Sequence, residues 1–157
     1  MLDPKLSLAL GLWRHNARQH NAVDFVQTLR RLHAPEPVHL LDTTPRDIDY
    51  WNMVDFQRHP FVMDGGDYKD IRLGTLNFLP ARIAAEQTYG MVVAMREPLL
   101  FTVSMPQRIY ERALLPFFGV RNEVTRIATL VRPILFRSSL AEISSIKQRP
   151  SPARLRP

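Results

Sequence analysis

The 157-residue sequence predicts an α+β domain, with helices packed on an antiparallel sheet. Two observations favour this class. Apolar residues recur at helical spacing in two regions of the chain, and each region is followed by segments that alternate between apolar and polar residues as strands do. Strands that follow one another closely in sequence usually pair, so these segments predict antiparallel hairpins. The length suits a single domain.

Residues 6–32 carry the strongest helical pattern. Apolar residues recur at helical spacing from Leu6 and again from Ala22, and the largely polar stretch RHNARQHN lies between the two groups. Asn21 is suited to cap a second helix, so the pattern fits either two helices or one long bent helix. The prolines of APEP at 34–37 end it, because residues before proline avoid the helical conformation.

Residues 38–56 predict the first hairpin. The segment VHLLDT at 38–43 is short and favours a strand. TPRD at 44–47 favours a turn, with its proline near the start. IDYWNMVDF at 48–56 alternates along its whole length, which predicts a second strand that pairs with the first.

Residues 58–76 are irregular, and a longer helix follows them. The irregular segment contains prolines and glycines and sustains no period, although short helical turns would fit there. The helix is expected to begin at Asn77 as its N-cap and to end at Glu97, before a proline. Helical spacing predicts an inner face formed by Leu79, Ile83, Gln87, Gly90 or Met91, and Ala94.

Three further strands complete the predicted sheet, at 98–105, 108–118 and 124–135. The stretch YERALLPFFG is apolar enough for a helix, but Pro116 would interrupt that helix after six residues, which is too short to be stable. As a strand, it pairs with VTRIATLVRPIL across the five-residue loop GVRNE. We therefore predict a hairpin.

Composition excludes several classes of site and protein. The chain has no cysteine, which excludes disulfides, thiolate zinc sites and cysteine nucleophiles. No apolar run approaches the ~20 residues needed to span a membrane. The N-terminal run LSLALGLW lacks a basic flank and a small-residue cleavage site, so we interpret it as a helix face and expect a cytoplasmic protein.

The net charge of +6 lies mainly on the C-terminal tail, since residues 137–157 account for +4 of it. Nucleic-acid binding normally needs a basic face on the folded part of the protein, so it is not favoured here. We expect a helical cap over 1–34, a domain over 35–136, and a basic, flexible tail over 137–157.

Four stretches, taken in order, resemble the bacterial stand-alone PAS-like proteins. VHLLDTTPRDIDYWNMVDF resembles the family's first hairpin, and GGDYKDIRLGTL resembles its glycine–acid–glycine stretch, with Asp70 in place of the usual second glycine. YGMVVAMREPLLFTV resembles the end of the family's long helix, and YERALLPFFG resembles its Tyr-x-Arg-x-x-x-Pro strand. The resemblance covers about residues 24–136.

The resemblance implies a five-stranded antiparallel sheet of order 2-1-5-4-3, with helices over one face and an N-terminal helical extension. It further implies a sensor or interaction module that holds a small molecule or haem between sheet and helices. Members of the family often dimerise through an N-terminal helix. The apolar residues of 6–32, including Leu6, Phe25 and Leu29, also predict such a homodimer, because they exceed what one helix on a small sheet would bury.

Within that fold, a mainly apolar pocket is expected under the long helix. Arg72 and Tyr110 would supply polar contacts, and the methionines would make the pocket adaptable, although aromatic and methionine side chains also serve as ordinary core. Axial haem ligation by His59 is not favoured, because a lone histidine is more often structural. The predicted ligand-binding residues are His59, Met63, Arg72, Ile83, Gln87, Met91 and Tyr110.

No catalytic or metal-binding motif is present in the sequence. The carboxylates Asp64, Asp67 and Asp70 lie in a turn-rich loop where they favour turns, and Glu86 has no catalytic partner. We expect no enzyme and no metal site. Arg112 and Arg132 are interpreted as cross-strand ion pairs with Glu111 and Glu123 on a solvated face.

Two functions fit these observations. The first is a non-catalytic signalling module that binds a small hydrophobic molecule rather than a nucleotide and acts in trans on a partner protein. The alternative is a PAS-like module for protein–protein contact or dimerisation that binds no ligand. The residues do not identify the ligand, a cofactor or the partner.

Overall fold

The computed structural model describes residues 3–18, 21–33, 36–59, 65–106 and 108–135, except for the side chain of His33. This part of the chain contains three α-helices and five strands. Two helices precede the sheet, and the third lies between the second and third strands. The bounds are α1 Pro4–Asn16, α2 Ala22–His33, β1 Val38–Asp42, β2 Asn52–Asp55, α3 Leu79–Met95, β3 Leu99–Met105, β4 Arg108–Phe118 and β5 Val124–Leu135.

The five strands form one antiparallel sheet in the order β2-β1-β5-β4-β3. The α+β class and the PAS-like strand order are thereby confirmed. The predicted β4–β5 hairpin is also confirmed, and its loop closes with the Gly119 N–H donating to the Glu123 carbonyl at 2.8 Å. Asn122 adopts a left-handed conformation in this loop, with φ of 62°, which asparagine tolerates better than most residues.

Of the two arrangements predicted for residues 6–32, the structure has two helices and not one bent helix. One predicted element differs in detail. The strand expected from residue 48 begins only at Asn52, because Ile48–Tyr50 is a turn of 3₁₀ helix. The side chain of Asp47 accepts a hydrogen bond from the Asp49 N–H, and this cap favours the helical turn over an extended chain. Alternation alone could not reveal that competing interaction.

Helices cover both faces of the sheet, because the helices that follow β1 lie on one face, as expected, and the N-terminal helical extension packs on the other. Helices α1 and α2 pack on one side and exclude solvent from it, and we call this side the filled face. Their buried residues, among them Ala9, Val26 and Leu29, contact the strands directly. The sheet residues of the filled face are Val38, Leu40, Ala113, Leu115, Phe117, Ala128 and Leu130.

The opposite side of the sheet, which we call the cavity face, is covered by α3 and two 3₁₀ turns, Ile48–Tyr50 and Leu73–Thr75. Helix α3 begins after Phe78 rather than Asn77 as its N-cap, and it ends at Arg96 in the left-handed conformation. Its buried residues are Tyr89 and Val92, which pack on Leu41, Leu114 and Ile127 of the sheet.

The packing of α1 and α2 removes the reason for predicting a dimer through residues 6–32. Leu6 is 2% exposed, Phe25 4% and Leu29 0%, all within a single chain. Trp13 also contacts the sheet, and its indole N–H donates to the Pro116 carbonyl at 2.6 Å. The apolar residues that seemed in excess are those that close the filled face.

Two expectations, a flexible tail over 137–157 and ligand binding by Met63, concern residues that are not among the described ones. Within the described residues, no helix combines the length and the apolar character that crossing a membrane requires.

Candidate functional site

A cavity of about 470 Å³ lies on the cavity face, between α3 and the sheet, and residues of all five strands contribute to its lining. Its volume falls in the range of about 300–1,000 Å³ that is typical of small-molecule sites. Leu73 and Leu76 bound it on the side of the second 3₁₀ turn, and Phe101 and Val103 of the edge strand β3 bound it on the other. The walls are therefore mainly apolar.

The cavity exists because α3 turns small side chains towards the sheet in its N-terminal half. Ala81, Ala85 and Thr88 line the cavity, and none of them reaches far enough to fill it. In the C-terminal half, the larger residues Tyr89 and Val92 are buried and hold the helix on the sheet. The helix is thus anchored at one end and spans an open volume at the other.

A small polar patch lies on the floor of this apolar cavity. The Arg112 guanidinium donates to the Tyr89 hydroxyl at 2.8 Å, and a second hydrogen bond of 3.2 Å joins that hydroxyl to Thr129. Thr129 is paired with His39 of β1 in the sheet, and Arg112 is paired with Val131 two residues further along β5. We define the polar patch as His39, Tyr89, Arg112 and Thr129.

His39 is buried, 3% exposed, and neutral at physiological pH. Its ring stacks on Phe56 at 4.1 Å between centroids, and its Nδ1 accepts the Gln57 backbone N–H at 3.1 Å. Burial, together with the charges of Arg112, Arg30 and His59, lowers the pKa of His39 to about 3. Because Nδ1 is the acceptor, Nε2 carries the proton, and it has no hydrogen-bond partner among the described residues.

Arg112 is half-buried and lies near two aromatic rings. Its guanidinium carbon lies 5.4 Å from the centroid of Tyr89 and 5.6 Å from that of Phe101. In the described part of the chain, it forms no ion pair with a carboxylate. The expectation of a solvated cross-strand pair is therefore wrong for Arg112, whereas Arg132 does pair with Glu111 across β4 and β5 at 2.7 Å.

Of the seven predicted ligand-binding residues, Tyr110 lines the cavity. Ile83, Gln87 and Met91 do not, since they lie on the solvent side of α3, with Ile83 44% and Met91 47% exposed. The predicted inner face of this helix is thus wrong.

Two of the other predicted residues, Arg72 and His59, are not among those that line the cavity. Arg72 is exposed and lies over the Tyr50 ring at 5.3 Å, and His59 is half-buried but does not line the cavity. Burial lowers the pKa of His59. Met63 is not among the described residues.

Sequence reasoning missed the polar patch, although one signal for it was present. On an alternating strand, residues two apart share a face, so Arg112 lies on the same side as Tyr110. A prediction that placed Tyr110 in the pocket therefore implied the same position for Arg112. His39 had no comparable signal, because its neighbours Val38, Leu40 and Leu41 are all apolar and show no alternation.

The described residues contain no group of three or more histidine, aspartate or glutamate side chains placed to hold a metal ion. The polar patch offers two nitrogen donor groups, on Arg112 and His39, and a hydroxyl pair, and none of its four residues is a carboxylate or an activated nucleophile. Its chemistry suits binding of a hydrogen-bond acceptor within an apolar space.

Comparisons with known proteins find similarity among solved structures. No protein-family model matches the chain, and no curated protein matches its sequence. The structure is similar to that of a sensory box sensor histidine kinase from Vibrio cholerae, with 11% sequence identity and a TM-score of 0.49, over 75% of this chain and 99% of that chain. The PAS-like strand order described above is read from this chain's own strand pairing.

Proposed function

We propose that this chain is a non-catalytic sensor module that binds a small, mainly apolar ligand in the cavity and acts in trans on a partner protein. The observation that supports it is the cavity of about 470 Å³ with apolar walls and a few polar groups on its floor. Sites of this composition are typical of small-molecule binding, because the walls supply affinity and the polar groups orient the ligand.

Helix α3 is the element through which ligand binding would be communicated. A ligand in the cavity contacts Ala81 and Ala85 on the underside of its N-terminal half, which spans the open volume. The outer side of the same helix faces solvent and is available to a partner. A ligand shifts the helix from one conformation to another only if the ligand binds the protein more tightly in the second conformation than in the first.

The proposal can be tested with Nile red, a neutral apolar dye whose fluorescence rises when it leaves water. We expect saturable binding to the wild-type protein. Val103→Trp places a large ring in the cavity from β3 and should weaken binding at least about tenfold, because the dye loses its space. Ser104→Trp is the matched control, since Ser104 is the exposed neighbour on the same strand and does not line the cavity.

Met91→Trp provides a second control on α3. Because Met91 lies on the solvent side of the helix, this variant should bind Nile red as the wild type does. If folded Val103→Trp also bound the dye normally, the cavity would not be the binding site and the proposal would fail.

The alternative function, a protein–protein contact module, is favoured by a separate observation. Helix α3 exposes an apolar stripe that winds along the helix, with Leu79, Ile83, Met91 and Met95 separated by multiples of four residues. Scattered apolar residues are normal on a surface, but a continuous row often marks an interface. Gln87 completes the row, which carries no charge, so two copies could meet there without repulsion.

The contact to test is therefore one with a second copy of this chain. Light scattering should show a dimer for the wild type and a monomer for the double variant Ile83→Glu, Met91→Glu. The control is the double variant Leu8→Glu, Val23→Glu, which should remain a dimer, because it makes the same exchange at two exposed apolar residues of α1 and α2, away from the row. A wild-type monomer at all concentrations would exclude self-association through this stripe.

A further inference from the structure

We propose that the ligand of this cavity carries a carboxylate, which is bound at the polar patch by Arg112 and by the Nε2–H of His39. The inference rests on the proposed function, because it assigns a chemical class to the ligand of the same cavity. The rest of the ligand would be apolar, in keeping with the walls.

The charge of the lining is the first argument. The described residues that line the cavity include Arg108, Arg112 and His39, and they include no aspartate or glutamate. Arg112 is half-buried and forms no ion pair within the described residues, and one of its amino groups is occupied by Tyr89. A guanidinium that is shielded from water and lacks a counter-ion gains from an anion that enters beside it.

The position of Arg112 is fixed before any ligand binds. The rings of Tyr89 and Phe101 both lie close to its guanidinium, and the Tyr89 hydroxyl accepts one of its hydrogen bonds. Tyr89 is itself held by Thr129. A planar guanidinium held in place matches the two oxygens of a carboxylate, and little side-chain freedom is lost on binding.

His39 supplies the second argument. His39 is one of the residues that line the cavity, and its Nε2–H is buried and has no acceptor among the described residues. A buried donor without a partner is rare in folded proteins, and an acceptor on a ligand would satisfy it. His39 is paired with Thr129, and Arg112 is paired with Val131 two residues away, so both side chains belong to the same region of the floor.

The number of charges favours a carboxylate over a phosphate or a nucleotide. The patch offers one fixed cation and neutral donors, which balance a single negative charge. Arg108 is the other arginine of the described lining, and it lies four residues away along β4. A small amphiphilic acid, with its apolar part against Phe101 and Leu76, fits both the patch and the walls.

Displacement of Nile red by three eight-carbon compounds tests the inference: octanoate, 1-octanol and octylamine. We expect octanoate to bind the wild-type protein at least about tenfold more tightly than 1-octanol, and octylamine to bind weakest, because the patch is positively charged. This comparison needs no variant, so it does not depend on whether a substitution unfolds the protein.

Variants then locate the preference. Arg112→Met should weaken the binding of octanoate at least about tenfold and change the binding of 1-octanol by less than about threefold. Arg112→Lys should retain part of the preference for octanoate over 1-octanol. Arg108→Met is the matched control, because it removes an equal charge from the same lining and the same strand. It should reduce octanoate binding by less than about threefold.

The outcomes separate the two proposals. If 1-octanol and octanoate displaced Nile red equally well, the carboxylate would be excluded while the apolar ligand site would stand. If Arg112→Met and Arg108→Met weakened octanoate equally, the preference would reflect net charge and the role of the polar patch would be overturned. If Nile red itself did not bind, the proposed function would fail first.

Discussion

The two faces of the sheet are covered by helices in different ways. On the filled face, α1 and α2 bring Ala9, Val26 and Leu29 against the strands, and each of these side chains is fully buried. On the cavity face, α3 presents alanines to the sheet and exposes its larger residues, such as Ile83. The strands alternate similarly towards both sides, so the helices decide which side becomes a core and which becomes a cavity.

The difference predicts unequal costs for shortening a leucine on the two faces. Leu29→Ala should lower the free energy of unfolding by about 2–5 kcal/mol, because it opens a void in a closed core. Leu76 is half-buried and borders the existing cavity, so Leu76→Ala only enlarges that space. It should lower the free energy of unfolding by about 1 kcal/mol. Urea unfolding of both variants measures the comparison. Equal losses would show that the cavity face is packed as tightly as the filled face.

The cavity face should also carry a distinct acid sensitivity, because its buried His39 resists protonation. The native pKa is about 3, against an ordinary value of 6.5 in the unfolded chain. Below pH 6.5 the unfolded chain therefore binds a proton that the native protein does not, and stability falls by up to about 1.4 kcal/mol per pH unit until pH approaches 3.

His39→Asn removes this contribution. Between pH 7 and pH 5, the wild type should lose about 2 kcal/mol more stability than the variant, as measured by urea unfolding at each pH. His15→Asn, at an exposed position of α1, is the control and should follow the wild type. Parallel pH profiles for the wild type and His39→Asn would contradict the burial of a neutral His39.

The filled face depends additionally on a tether between α2 and the sheet. Arg30 donates to both carboxylate oxygens of Asp55, at 2.9 and 3.0 Å, and to the Val38 carbonyl at 2.7 Å. Arg30→Met should lower the free energy of unfolding by about 1–2 kcal/mol, because the pair is partly shielded from water. Arg31→Met, at the exposed neighbouring position, should have almost no effect. A similar loss in both variants would assign the effect to helix propensity rather than to the tether.

The sheet could be predicted from the sequence because its signals are local. The alternation in β4 and β5 and the short loop between them specify a hairpin, and Tyr110 could be assigned to the cavity from it. The start of β2 could not be predicted, because the Asp47 cap competes with the alternation over 48–50. Periodicity gives no measure of that competition.

The direction in which α3 faces could not be predicted from helical spacing. Spacing shows that Leu79, Ile83 and Met91 share a side of the helix, but it does not show which side contacts the sheet. The usual assumption, that large apolar residues face inward, fails here because the inward side borders a cavity. Arg112 was predicted to lie on a solvated face because it is charged. Nothing in the sequence revealed that helices cover both sides of the sheet.

The alternation of β4 has a further consequence for folding. Ala113 and Leu115 of this strand face α1 and α2, while Arg112, which directly precedes Ala113, faces the cavity. If β4 slipped by one residue during folding, every side chain would exchange faces, and the guanidinium would enter a core that offers it no partner and no water. Burying an unpaired charge there costs several kcal/mol. The arginine that makes the cavity polar therefore also penalises misregistered pairing, and it biases the chain towards a single arrangement of its central strands.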